Sequence, residues 1–155
     1  MFKRTTVALV AVGMALGATA LAQNFNRAPA FGTWNLRAGF EPDPRTVQIT
    51  AGGTRSAERL GAGCLGTIAD APDVRLNYTA GNFPLYIFAR SNADVTLVVN
   101  LPDGRWACND DFDGTNPGLV FQRPQSGQYD IWLGVYQGGS RIPATLGVSE
   151  LPPRR

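Results

Sequence analysis

Gln128-Tyr129-Asp130-Ile131-Trp132-Leu133-Gly134-Val135-Tyr136 is the stretch that decides the fold class. Tyr129, Ile131, Leu133 and Val135 fall on one face at period two, which is the pattern of a half-buried strand and not of a helix. The same alternation recurs on either side. Val95, Leu97, Val99 and Leu101 share a face, as do Val47 with Ile49, and Val74 with Leu76 and Tyr78. Pro84 to Ala89 is a further apolar run, and Leu119 with Phe121 and Leu146 with Val148 mark two more short strands. Between them stand turn signals: Ala80-Gly81-Asn82, Pro102-Asp103-Gly104, Asp113-Gly114, Ser126-Gly127 and Gly138-Gly139. Only Thr54 to Leu60 has room for a helical turn. About eight short antiparallel strands joined by close turns predict an all-β, jelly-roll-like antiparallel β-sandwich.

Composition narrows the chemistry. The 155 residues include no histidine, which removes Ser-His-Asp and Cys-His nucleophile systems, HExxH zinc sites and histidine-ligated metals. Lys3 is the only lysine, and it lies in a segment that reads as an export signal. Lys3 and Arg4 form a positive start, Val7 to Ala18 is apolar or small, and Ala20-Leu21-Ala22 is an A-x-A cleavage pattern before Gln23. The apolar run is shorter than the roughly 20 residues that a membrane helix needs. Residues 1–22 are therefore expected to be cleaved, with no membrane anchor left behind. Without Lys3 and Arg4 the 14 basic residues fall to 12, which balances the 12 acidic ones. A neutral chain with scattered arginines offers no footprint for nucleic acid. The expected location is the periplasm or the outside of a bacterium.

Residues 23–44 form an N-terminal arm, irregular in pattern but holding Phe25, Phe31, Trp34, Leu36 and Phe40, so it is expected to lie against a domain spanning 45–151. Cys64 and Cys108 both belong to the exported part. In an oxidising compartment a Cys64–Cys108 disulfide is the expected outcome, with a pair of buried free thiols as the alternative.

Two groups of residues are candidates for a site. Asn109-Asp110-Asp111-Phe112-Asp113-Gly114-Thr115-Asn116 concentrates three carboxylates in four residues, a repulsion that a hard cation relieves. Asp110, Asp111, Asp113 and Asn116 supply oxygen ligands of the kind calcium takes, although the spacing is not that of an EF-hand. The alternative is an exposed, solvated acidic turn. Trp106, Trp132 and Tyr136 make the second group: core packing is one reading, and an exposed aromatic platform for a sugar ring or a peptide is the other.

The order of motifs ADVTLVVNLPDGRWACNDD, NPGLVFQRPQSGQYDIWLGVY and TLGVSEL, from Asp94 to Glu150, resembles the bacterial pre-peptidase C-terminal domain. The likeness extends more weakly through GFEPDP and GCLGTIADAPDVRLNYTAG. It implies a β-sandwich of the type appended to secreted proteases, where it assists export or binds substrate, and some such domains bind calcium. Small proteins of this kind are sometimes labelled peptidase S1. That chemistry is excluded here, because Ser56, Ser91, Ser126, Ser140 and Ser149 have no histidine to activate them and none stands in a GxSxG elbow. The expectation is a non-catalytic binding or structural module for an extracellular or periplasmic protein or polysaccharide. A separately encoded secreted protease, with this chain as its accessory, is the second partner considered, and a small hydrolase working through paired carboxylates is a remote third.

Overall fold

The structure is a computed structural model, described for residues 24–138 and 141–153. The export signal expected at 1–22 lies outside those residues. Among these residues eleven strands form two packed sheets, which is the β-sandwich the alternation predicts.

The smaller sheet has the order β2-β11-β6-β9, with β2 at Arg45–Ala51, β11 at Ile142–Ser149, β6 at Leu85–Arg90 and β9 at Gly118–Phe121. Every pairing in it is antiparallel. The larger sheet is built around β10, Gly127–Val135. On one side β10 pairs with β7, Val95–Asn100, which in turn pairs with β8, Trp106–Asn109. On the other side it pairs first with β5, Val74–Thr79, and then with β4, Thr67–Ile68, which carries β3, Arg55–Ser56. Among the described residues a single helical turn occurs, a 3-10 turn at Ala57–Leu60, within the segment expected to hold it.

The arm contributes β1, Thr33–Arg37, which runs parallel to β5 and ends that flank of the sheet. Trp34 and Phe40 are buried in the main core, with Phe31 and Leu36 packed against it. Burial of these rings holds the arm down. It is also fastened at its far end: Glu150 accepts Gly39 N–H at 2.8 Å and the Tyr78 hydroxyl at 2.6 Å, while Glu150 N–H donates to Asp43 at 3.0 Å. Burial, with the Glu150 carboxylate beside it, pushes the Tyr78 hydroxyl pKa up.

The core between the sheets takes the expected faces. Val74, Leu76 and Tyr78, then Val95, Leu97 and Val99, then Tyr129, Ile131, Leu133 and Val135 all point into it. Opposite them stand Leu85, Ile87 and Ala89 of β6 and Leu146 and Val148 of β11. The sequence marks seven of the eleven strands among the described residues, and the other four are β1, β3, β4 and β8. They are short or sit in segments with no period-two signal, and pairing with a longer neighbour is what makes them strands.

Candidate functional site

The outward face of the larger sheet divides into two halves, and register shows how. Residues directly opposite one another in a ladder share a face. Trp132 is opposite Val98, and Val98 is opposite Cys108. Over this row folds the segment from β3 to β4. Ala57, Cys64 and Ile68 pack on Val98 and Trp132 as a second core, with Leu60 and Trp106 at its margin. The disulfide Cys64–Cys108 pins the segment to β8. Space for it is made at Gly134, where an added Cβ would sit 2.4 Å from Thr96 Oγ1 and 2.9 Å from Ile68 Cγ2.

This arrangement corrects the aromatic-platform reading. Trp132 is wholly buried, 0% exposed, because the flap covers the face it occupies. Trp106 is half-buried and tilted against it, with ring centroids 5.4 Å apart. Tyr136 is 41% exposed and lies past the other end of β10, where its N–H donates to the Asp94 carbonyl. The three rings do not form one surface.

The acidic loop is also dispersed. Asp113 pairs with Arg90 at 2.8 Å, and the Asn116 side-chain oxygen accepts Ser91 N–H at 2.8 Å. Backbone bonds between Asp113 and Asn116 close the loop as a tight turn. Desolvation and the charges of Asp111 and Asp110 raise the Asp94 pKa, so these carboxyls crowd one another. Among the described residues, however, no three acidic or cysteine side chains converge where a metal could sit. Of the four candidate ligands, Asp113 and Asn116 each already hold a partner within the protein, Arg90 and Ser91.

The uncovered half of the outward face was not marked by any motif. Its boundary is an ion pair between half-buried Arg75 and buried Asp130, Nε to Oδ1 at 2.7 Å, with the Arg75 guanidinium also donating to the carbonyl of Phe25. Beyond it the register sets Asn35 beside Asn77 and Asn77 beside Gln128, one amide from each of β1, β5 and β10. Asn77 Nδ2 donates to Asn35 Oδ1 at 2.8 Å, and Gln128 Nε2 donates to Asp130 Oδ2 at 2.7 Å. Arg37, Thr79 and Ser126 border the row, and the whole lines an open depression of about 720 Å³. Asn77 and Gln128 occupy outward positions of strands whose inward positions are legible, whereas Asn35 lies on β1, which no alternation marks; strand order is the missing signal.

Three of the serines hold backbone groups. The Ser91 hydroxyl donates to the Pro143 carbonyl, that of Ser149 donates to Leu151, and that of Ser126 accepts Ala80 N–H. Among the described residues no helix is long and apolar enough to cross a membrane.

No family model matches the chain, and no curated protein matches it. Among solved structures it is similar to the pre-peptidase C-terminal domain of a collagenase from Bacillus anthracis, with 14% identity and a TM-score of 0.48 over 80% of this chain and 99% of that one. It is also similar to a periplasmic inhibitor of g-type lysozyme from Aeromonas hydrophila, with 15% identity and a TM-score of 0.39 over 76% of this chain and 96% of the other. The first is a domain of the kind the sequence resembles.

Proposed function

We propose that this chain is an exported, non-catalytic β-sandwich module that binds an extracellular or periplasmic polymer through the uncovered polar half of its larger sheet. The observation that carries the reading is the contrast between the two halves of one face. The apolar half is sealed by a disulfide-pinned flap, while the half bearing Asn35, Asn77 and Gln128 is left open with hydrogen-bonding groups directed outward. Non-catalytic action is supported by the empty histidine column and by serine hydroxyls spent on backbone groups. Export is supported by the signal pattern and by the disulfide, which persists in an oxidising compartment.

The test compares the exported chain with an Asn35→Ala, Asn77→Ala, Gln128→Ala variant as baits against the native secretome and cell-wall fraction. The reading expects a polymer, protein or polysaccharide, retained by the first and released by the second. Equal retention by both baits would move the binding surface elsewhere.

A further inference from the structure

We infer that the row Asn35–Asn77–Gln128 takes a neutral polysaccharide strand lying across β1, β5 and β10, an inference that rests on the binding-module reading above. Three features of the row select this ligand.

The first is spacing. The amides stand on adjacent hydrogen-bonded strands in direct register, so they repeat at the inter-strand distance of about 4.8 Å. One pyranose unit is close to that length, and a glycan crossing the strands meets one amide per sugar. An extended peptide presents same-side groups at every second residue, roughly 6.6 Å apart, and falls out of step within three strands.

The second is the balance of donors and acceptors. The two internal bonds use Asn77 Nδ2 with Asn35 Oδ1, and Gln128 Nε2 with Asp130. Asn35 Nδ2, Asn77 Oδ1 and Gln128 Oε1 take no part in those bonds, and Asn77 Nδ2 and Gln128 Nε2 each keep a second N–H, so the row offers a ligand both donors and acceptors. A sugar hydroxyl both donates and accepts, so it satisfies either kind.

The third is charge. The row itself is uncharged, and the row beside it is neutralised within the Arg75–Asp130 pair. Arg37 is the one charged side chain that lines the depression. A polyanion needs several cations along its track, and this row does not supply them. The depression opens at β1, which ends its flank of the sheet, so a long chain can run past it.

The experiment is calorimetric titration of the exported chain with cellohexaose, chitohexaose and maltohexaose, repeated with Asn77→Ala and with the triple alanine variant, each first shown to keep its melting temperature. The expected result is saturable binding of at least one hexasaccharide, insensitive to added salt, roughly tenfold weaker in Asn77→Ala and lost in the triple variant. Binding that the triple variant retains would overturn the assignment to this row. No heat with any of the three would overturn the polysaccharide inference. In that event a secretome protein captured by the native chain and released by the triple variant would leave the binding-module reading standing with a protein as ligand.

Discussion

The Asp73 carboxylate accepts the backbone N–H of Leu133 at 2.7 Å in the interior of the larger sheet. The bond closes a gap in the ladder, since β10 leaves β5 after Ile131 and does not meet β4 until Val135. Asp73 N–H donates to the Ile131 carbonyl on one side, and Gly52 N–H donates to the Leu133 carbonyl on the other. A side chain here stands in for a missing strand.

That substitution has a pH signature. Burial raises the Asp73 pKa from 3.8 to about 7, against the opposing pull of the Leu133 N–H and of Arg141. Because the folded state holds this proton more tightly than the unfolded chain, the favourable contribution is complete below the unfolded value and is lost as pH rises through about 7. The gap corresponds to up to about 4 kcal/mol. Melting temperature should therefore climb on going from about pH 8 to about pH 5. Asp73→Asn keeps an oxygen for Leu133 and should flatten the profile while gaining stability at the alkaline end. A wild-type chain that melts higher at the alkaline end, or an Asn variant with an unchanged profile, would contradict this role.

Replacing both Cys64 and Cys108 by Ser should cost on the order of 4 kcal/mol, given the 44-residue separation they close. The specific expectation concerns Trp132. With the flap unpinned, tryptophan emission should shift to the red and become open to acrylamide quenching below the unfolding transition. Emission that stays blue and protected in the double variant would mean that packing alone holds the flap.

Glu150→Ala should destabilise by about 3 kcal/mol, because it strands the Tyr78 hydroxyl and Gly39 N–H without their acceptor. The urea midpoint measures the loss, and limited proteolysis should cut the loosened arm near Gly39 first. An unchanged midpoint would show that the arm is held by Trp34 and Phe40 alone.

Calcium should make no difference. Melting curves recorded with excess calcium and with chelator are expected to superimpose, because Arg90 and Ser91 occupy Asp113 and Asn116. A chelator-dependent fall in melting temperature that Asp111→Ala abolishes would restore the acidic turn as a metal site.

Alternation in β2, β5, β7 and β10 identified the inward residues, because a core between two sheets selects one face of each strand. Trp132 could not be assigned in the same way. It lies on the outward face of β10, and its burial comes from the flap between β3 and β4, whose sequence carries no periodic signal. Cys64 and Cys108 announced a bond but not that it would close a second core. Carboxylate density in the acidic turn is visible in sequence, whereas Arg90 and Ser91, which meet Asp113 and Asn116, come from the end of β6 and just beyond. The amide row was hidden for the opposite reason. Asn35, Asn77 and Gln128 are ordinary outward polar residues until register sets them side by side.

An amide-detected NMR titration of the isotope-labelled chain, without residues 1–22, with the hexasaccharide that gives calorimetric heat reads the amide row residue by residue. The side-chain amide signals of Asn35, Asn77 and Gln128, together with the backbone of β1 and the first half of β10, should move in fast exchange with a common affinity, while the Trp132 indole and the outward face of the smaller sheet stay still. Shifts centred on β6 and β11, or on Trp106 and Tyr136 with the amide row unmoved, would contradict the account.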